Sequence, residues 1–130
     1  MISHIHLGVS DLGRAIAFHG PILAALGLVP KFRDESWAGW MTPGVPRPLF
    51  ILGRPFDGAA PDPGNGTMLA LLSPDRRTVD RCHALAMAAG GTDEGGPGLR
   101  PQYHPHYYGA YFRDPDGNKL CICCHDPAEG

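Results

Sequence analysis

The sequence has little net charge, few charged residues and no long hydrophobic run. Eleven Lys and Arg against thirteen Asp and Glu give a formal net charge of −2. This near balance excludes a basic nucleic-acid-binding surface as the main feature, and also a polybasic membrane-surface protein. No run approaches the roughly 18 apolar residues of a membrane-spanning helix, and the first residues lack the pattern of a signal peptide. We therefore expect a cytoplasmic protein with neither nucleic acid nor membrane as a partner.

Cysteines are also few, and their spacing is not that of a disulfide framework. Three of the four, Cys121, Cys123 and Cys124, lie within four residues of one another, whereas a disulfide framework spreads its cysteines along the chain. The 43% of apolar residues is typical of a folded chain, and 130 residues suffice for one domain with a core. The 18 Gly and 14 Pro fall in clusters between apolar runs, which predicts many turns.

Two segments of the chain follow the same predicted order of one strand, one helix and three short strands. In the first, a strand over 2–9 precedes a helix that we expect to break or kink at Gly20-Pro21. In the second, an apolar run over 66–72 precedes a helix with Ser73 as its N-cap, and a tight turn at 114–117 closes a final hairpin. The remaining strands are predicted over 28–33, 36–41, 48–54, 92–94, 107–113 and 119–125.

The two segments can be superimposed at an offset of 64 residues. Asp11 then falls on Asp75, and His19 falls on His83. We interpret this match, together with the repeated order of elements, as an internal duplication. Both histidines lie on predicted helices and are expected to be exposed. The sequence thus divides into a first βαβββ module over 1–56, a linker over 57–65 and a second module over 66–130, within one domain.

Three stretches carry a family resemblance. Residues 4–12 read His-Ile-His-Leu-Gly-Val-Ser-Asp-Leu, residues 113–120 read Arg-Asp-Pro-Asp-Gly-Asn-Lys-Leu, and residues 101–110 are rich in Tyr and His. With the duplicated unit, they resemble the vicinal oxygen chelate superfamily of glyoxalase I, bleomycin resistance proteins and extradiol dioxygenases. The resemblance implies an α+β fold in which two βαβββ modules form an open, cup-like mixed sheet. It also implies a small-molecule ligand and a homodimer.

The resemblance further implies a metal site, and this sequence departs from it. Family members take ligands from the first and last strands of each module, and the matched positions here hold His4, Met68 and Cys121. The last strand of the first module offers only the apolar residues 49–52. The carboxylates that glyoxalase chemistry uses as ligands and proton acceptors are missing from these positions. We therefore expect a degenerate site that binds no divalent metal tightly, with Zn, Ni, Mn or Fe as the candidates; a soft His4, Met68 and Cys121 site is the alternative.

A dense group of aromatic and His residues predicts the wall of a ligand pocket. Tyr103, His104 and Tyr108 are the residues expected to contact substrate by stacking and hydrogen bonding. The alternative is a loop with its histidines outside and its tyrosines covering the core. Trp37, Phe50 and Cys121 complete the predicted pocket.

The resemblance, and the positions at which this sequence departs from the family's metal-ligand pattern, leave two candidate functions. The first is a glyoxalase-family protein that binds or transforms a small oxygenated metabolite and is not a true glyoxalase I. If it is an enzyme, a lyase, isomerase or dioxygenase type is implied. The second is a non-catalytic protein that binds or sequesters a small molecule of the antibiotic type. Fold alone does not decide between them.

Overall fold

The computed structural model describes residues 1–128, and in that range the chain forms two helices and eight strands. Neither helix, of 14 and 13 residues, is long and apolar enough to cross a membrane. The elements in chain order are β1 (His4–Gly8), α1 (Leu12–Ala25), β2 (Val29–Arg33), β3 (Trp37–Thr42), β4 (Val45–Gly53), β5 (Leu69–Leu72), α2 (Arg76–Ala88), β6 (Thr92–Leu99), β7 (Tyr108–Arg113) and β8 (Lys119–Cys124).

The strands form two separate four-stranded sheets of identical topology. Sheet A has the order β1-β4-β3-β2, and sheet B has the order β5-β8-β7-β6. In each sheet the first strand pairs in parallel with the last, and the other neighbours are antiparallel. A parallel pair needs a crossover connection, and the helix that follows the first strand begins it. The predicted α+β fold of two βαβββ units with open mixed sheets is confirmed.

The helix starts are equivalent in the two units. Asp11 and Asp75, 64 positions apart in the sequence, are the N-caps of α1 and α2. Their carboxylates accept hydrogen bonds from the backbone N–H groups of Arg14 at 3.0 Å and Thr78 at 2.7 Å. The prediction of Ser73 as the second N-cap is wrong, because the Asp75 carboxylate reaches the free N–H three residues ahead. The Ser73 hydroxyl instead donates to the Asp75 carbonyl at 2.7 Å.

Helix α1 continues through Pro21, so of the predicted break or kink at Gly20-Pro21 the break is wrong. Proline removes one backbone donor from the helix interior, a cost of about 3 kcal/mol. The next residues, Ile22 and Leu23, are buried in the core. Burial of two large aliphatic side chains stabilises by about 3–6 kcal/mol, which is enough to hold the last turn in helical form. Gly27, at φ +87°, follows the helix end as predicted.

The expectation that His19 and His83 are exposed is also wrong, most clearly for His19. The His19 Nε2 atom lies 2.9 Å from the Oδ2 atom of Asp114, and both side chains are only 1% exposed. Asp114 belongs to the turn between β7 and β8, so this pair joins the two units. In the same turn, Asn118 Nδ2 donates to the Gly8 carbonyl at 2.9 Å. His83 is mostly covered and lies 3.0 Å from the exposed carboxylate of Asp93.

Strand β6 is longer than its predicted three residues and runs over Thr92–Leu99. It pairs with β7 through Gly95 opposite Tyr111 and Gly98 opposite Gly109, with register shifts between these pairs. Glycines weaken a strand and give its sequence the composition of a turn. For this reason the sequence pattern predicted only the first three residues of this strand.

One core joins both sheets and both helices. Because side chains alternate along a strand, Phe50 and Leu52 of sheet A, and Phe112 and Leu120 of sheet B, point toward the helices and are buried there. The opposite side of each sheet, away from the helices, is called its open face here. The intervening residues of the same strands lie on this open face, and they position the candidate site.

Candidate functional site

The open face of sheet A carries an aromatic pair seated on a glycine. Gly39 leaves room for the Phe32 ring, since a Cβ at Gly39 would collide with it. The rings of Phe32 and Trp37 pack at 4.9 Å between centroids. Trp37 Nε1 donates to Asp34 Oδ2 at 2.8 Å, which fixes the indole orientation. Trp37 therefore offers a positioned apolar surface on this face.

A cavity of about 710 Å³ lies over the open face of sheet A. The His6 imidazole lies above Gly53, where a Cβ would come within 2.8 Å of Nε2. Phe56, in the segment 54–68 that connects the two sheets, lines the cavity with a fully exposed ring. Further side chains at the lining come from Trp37, Arg54, Asp57 and Asp62. The cavity is therefore of mixed charge.

The open face of sheet B carries a chain of hydroxyl and thiol groups. Tyr111 and Cys121 are opposite each other on β7 and β8. The hydroxyl oxygen of Tyr107 lies 2.9 Å from that of Tyr111 and 3.4 Å from the Cys121 sulfur. Gly109 leaves room for the Tyr107 ring, since a Cβ there would be 2.9 Å from the ring. The two hydroxyls therefore stand between the buried thiol and the space above the sheet.

A second cavity, of about 590 Å³, lies over this face. Its size is within the range of small-molecule sites. Three phenol rings line it, with an amide and two basic side chains: Tyr103, Tyr107, Tyr111, Asn65, Arg113 and Lys119, together with Gly66 and Met68. Phenols provide flat apolar surface and a polar group that donates or accepts a hydrogen bond. The lining can therefore hold a small molecule that has both a planar part and oxygen atoms.

The environment of Cys121 favours the thiolate form. A hydrogen bond from the Cys123 thiol is the main cause that lowers the pKa of Cys121 to about 6; burial opposes it, and the Tyr107 and Tyr111 hydroxyls act in the same direction as Cys123. The pKa of Cys123 is raised, because its proton is held by Cys121. Burial and the neighbouring thiol likewise raise the pKa of Tyr107, which remains a proton donor at neutral pH. These contacts therefore favour the deprotonated form of the Cys121 sulfur beneath the two phenols.

His104 belongs to a separate histidine pair at the edge of this face. Its Nε2 atom lies 2.8 Å from Nδ1 of His125, and the two rings stack at 5.1 Å. His125 also approaches the Cys123 sulfur at 3.7 Å and packs edge-on against the Tyr107 ring. One ring nitrogen of this pair donates to the other, so the two imidazoles hold each other in place.

The structure places the predicted pocket residues in different surroundings. Trp37 lines the cavity of sheet A, Tyr103 lines that of sheet B, and Cys121 lies below Tyr107. Phe50 points to the helix side, where its ring packs against Trp40 in the core. Tyr108 also points to the helix side, and its hydroxyl donates to Asp80 of α2 at 2.6 Å.

Sequence reasoning counted Tyr107 in the pocket wall but not among the expected substrate contacts, and it did not select Tyr111 or Lys119. The signal for Tyr111 was present, because the turn at 114–117 sets the hairpin register and places residue 111 opposite residue 121. Alternation then puts Tyr111 and Lys119 on the same face as Cys121. Tyr107 lies just before β7, where alternation alone gives no face.

The residues present do not fit the metal that the family resemblance implies. His4 is exposed, with Nδ1 2.9 Å from the Ser3 hydroxyl, and its partner across the sheet is the apolar Leu49. Met68 lines the cavity of sheet B, and the Cys121 thiol is engaged by Tyr107. Within residues 1–128 there is no group of three or more His, Cys, Asp or Glu side chains placed to hold a metal ion.

Comparison with solved structures finds the same fold across nearly the whole chain. A glyoxalase/bleomycin resistance protein from Albidiferax ferrireducens T118 is 34% identical, with a TM-score of 0.85, over 97% of this chain and 99% of that one. A glyoxalase-related enzyme from Fulvimarina pelagi is 22% identical, with a TM-score of 0.71, over 95% and 87% of the two chains. A glyoxalase/bleomycin resistance protein/dioxygenase family enzyme from Burkholderia phytofirmans PsJN is 20% identical, with a TM-score of 0.72, over 95% and 98%.

The family comparison agrees with the structural one. No curated protein matches the chain. The family model described as Glyoxalase/Bleomycin resistance protein/Dioxygenase superfamily matches residues 1–122. This match covers the repeated βαβββ units of both sheets and confirms the resemblance seen in the sequence. The chain belongs to the glyoxalase/bleomycin resistance protein/dioxygenase superfamily.

Proposed function

We propose that this protein binds a small oxygenated organic molecule over the open face of sheet B. The observation that carries the proposal is the cavity of about 590 Å³ lined by Tyr103, Tyr107 and Tyr111. Three phenols in one cavity supply stacking surfaces and hydrogen-bonding hydroxyls for a ligand that has oxygen atoms. The cavity of sheet A, with Trp37 on its floor, is the second surface that a ligand of this kind can use.

The experiment that tests the proposal compares two neighbouring tyrosines that point to opposite faces. A panel of hydroxy acids, dicarbonyls and phenols is screened by thermal shift, and hits are mapped by amide chemical shifts in NMR spectra. Tyr107→Phe removes only a hydroxyl that faces the cavity, and we expect it to weaken the hits. Tyr108→Phe is the matched control, because its hydroxyl is bonded to Asp80 on the helix side. Hits that perturb amides away from residues 65–68 and 103–121, or that respond equally to both variants, contradict the proposal.

We further propose that the metal-dependent glyoxalase reaction is not the activity of this protein. The support is the donor set, since His4 stands beside the buried apolar residues Leu49 and Ile51 instead of other ligands. A firmly held divalent ion needs several donors in fixed geometry. Elemental analysis of protein purified without chelators tests this proposal. The His4→Ala variant is analysed beside His6→Ala, which is the control because His6 lies on the same face of the same strand. Near-stoichiometric metal that is lost only in His4→Ala overturns the proposal, as does isomerase turnover of the methylglyoxal–glutathione hemithioacetal with added Ni, Zn or Mn.

Binding and catalysis remain two distinct functions for this site. Simple sequestration, as in an antibiotic-binding protein, is supported by the burial of Cys121, since a fully buried thiol does not touch a ligand above the sheet. Catalysis by proton transfer is supported by the Tyr107 hydroxyl, which joins that thiol to the cavity. Cys121→Ser distinguishes them once a ligand is found. Loss of turnover with unchanged affinity indicates catalysis, and unchanged binding without any turnover in the wild type indicates sequestration.

We also propose that the protein is a cytoplasmic homodimer. The fully exposed Phe56 ring at the cavity of sheet A is an apolar surface that a second copy can cover. The four cysteines are all free thiols, which suits a reducing compartment. Sedimentation analysis of the wild type should give a dimer, and Phe56→Asp should give a monomer. Val45→Asp, which changes an exposed apolar residue at the start of β4, is the control and should leave the dimer intact.

A further inference from the structure

The charged side chains that line the cavity of sheet B are both basic. Its lining residues include Arg113 and Lys119 and no Asp or Glu. Arg113 is already neutralised, because its Nε atom lies 2.6 Å from a carboxylate oxygen of Glu94. Lys119 forms no ion pair with any residue in the range 1–128. Its ammonium lies 5.8 Å from the centre of the Tyr111 ring, at the wall of the cavity.

A second cation approaches the same ring from the end of β6. The Arg100 guanidinium lies 5.4 Å from the centre of the Tyr111 ring and donates to the Gly96 carbonyl at 2.8 Å. Glycines make this placement possible, since a Cβ at Gly95 or Gly98 would come within 3.2 or 3.1 Å of its terminal nitrogens. The glycine-rich strand thus seats a guanidinium on the open face. Arg100 also forms no ion pair within the described residues.

These two cations outnumber the one buried sulfur, Cys121, that favours a negative charge beneath the phenols. The surroundings of the cavity are therefore locally positive in a chain whose formal net charge is −2. Charges at a partly buried surface interact more strongly than charges in bulk water, so the local sign decides which ligands are favoured. The cavity of sheet A differs, because Asp57 and Asp62 stand beside Arg54 in its lining. We therefore expect a preference for anionic ligands at the cavity of sheet B and not at the cavity of sheet A.

We infer that the cavity of sheet B takes an aromatic carboxylate. The ring of the ligand packs among the phenols of Tyr103, Tyr107 and Tyr111, and the Lys119 ammonium holds its carboxylate. Arg100 acts at longer range by keeping the potential positive around Tyr111. The inference rests on the proposed function and narrows it to one charge class of ligand.

Calorimetric titration with three probes that share one ring system tests the inference. The probes are 2-naphthoate, the neutral 2-naphthamide and the cationic 2-naphthylmethylammonium. We expect naphthoate to bind about tenfold more tightly than naphthamide, as a charge-assisted hydrogen bond would provide. The cationic probe should bind more weakly than the amide.

The chain offers a matched control, because it contains two lysines, Lys31 and Lys119. Lys119→Met should abolish the preference for naphthoate over naphthamide, whereas Lys119→Arg should retain most of it. Lys31→Met changes an exposed residue of β2 in sheet A and should leave the preference intact. Lys119→Gln is a second neutral variant, used if Lys119→Met has an altered circular dichroism spectrum or urea midpoint.

The outcomes separate this inference from the function on which it rests. Equal affinities for naphthoate and naphthamide overturn the anion preference while leaving the binding of oxygenated molecules in place. A preference that survives both neutral variants of Lys119 overturns the assignment to that ammonium. Absence of naphthoate binding at millimolar concentration overturns the carboxylate class. Failure of the proposed function is recognised independently, by panel hits that map away from residues 65–68 and 103–121.

Discussion

Replacing His19 with leucine removes one partner of a buried carboxylate and leaves a side chain of similar bulk in its place. The His19–Asp114 pair is joined at 2.9 Å with both side chains 1% exposed. The imidazole also packs edge-on against the Phe18 ring at 5.0 Å, a contact that leucine can replace in part. Asn118 still donates to Asp114 in the variant, through Nδ2 at 3.0 Å. The loss is therefore mainly that of one charge-assisted hydrogen bond on a carboxylate that water does not reach.

The magnitude follows from that burial. Removing the hydrogen-bond partner of a buried carboxylate costs about 3–5 kcal/mol, against a total stability of about 5–15 kcal/mol for a domain. Asp114→Asn removes the charge and keeps the shape, so its cost should be lower, about 1.5–3 kcal/mol. The double variant leaves no buried charge unpaired. Its loss should fall short of the sum of the single losses by about 1–3 kcal/mol.

Urea unfolding followed by the fluorescence of Trp37 and Trp40 measures these losses. The slope of free energy against urea should be unchanged, which makes the midpoints comparable. His83→Leu is the matched control, since His83 occupies the equivalent position on α2 but its partner Asp93 is largely exposed; a screened surface pair contributes little. Equal losses in His19→Leu and His83→Leu, or strict additivity in the double variant, would refute the reasoning.

The same pair predicts how stability depends on pH. Burial raises the pKa of Asp114, but the hydrogen bonds from His19 and Asn118 outweigh it and hold that pKa below the ordinary value of 3.8. A carboxyl with a lowered pKa in the folded state stabilises the fold above its unfolded pKa and loses that contribution as the pH falls through its folded pKa. The wild type should therefore lose stability more steeply than Asp114→Asn below about pH 4. Parallel acid unfolding curves would contradict this.

Three further predictions concern single positions. Asn118→Ala leaves a β1 backbone carbonyl without its donor and should lower the free energy of unfolding by about 1–3 kcal/mol, measured in urea. The thiolate absorbance that Cys121→Ser removes should titrate with a midpoint near pH 6, as the pKa of about 6 requires; a midpoint at the ordinary thiol value of about 8.5 would contradict it. Cys82→Ser is the control and should leave the titration near pH 6 unchanged, because burial raises the pKa of the Cys82 thiol to about 11. Gly39→Ala should destabilise by about 1–3 kcal/mol through collision with the Phe32 ring. That loss should shrink in a Phe32→Ala background.

The sequence predicts the fold well where local chemistry acts alone. The turn at 114–117 forms the expected hairpin, in which the Gly117 N–H donates to the Asp114 carbonyl at 2.9 Å. Trp37 and Trp40, three apart on one strand, point to opposite faces as strand geometry requires. Pro21 is different, because the packing of the residues that follow it outweighs its local preference. The burial of His19 likewise depends on a carboxylate 95 positions away in the sequence, which no local pattern reveals.

The candidate site is harder to predict, since it depends on which face each residue takes. Residues 49–52 are all apolar and all buried, so alternation gave no sign that Phe50 points to the helices. Tyr107 and Tyr108 are adjacent, and only one of two neighbours in extended chain can face the cavity. The hairpin register would have selected Tyr111. That Lys119 has no ion-pair partner among residues 1–128 is visible only once the strands are assembled.

The turn between β7 and β8 also determines the order in which the chain can complete its fold during synthesis. It supplies the Asp114 partner of His19, the Asn118 donor for the Gly8 carbonyl and the Asp116 acceptor for the Ser10 hydroxyl at 2.7 Å. A nascent chain that ends before residue 114 lacks all three, although β1 and α1 have long since been made. The amino-terminal unit therefore gains these three partners only after residue 118 has been translated, and the contacts between the two units form late for both.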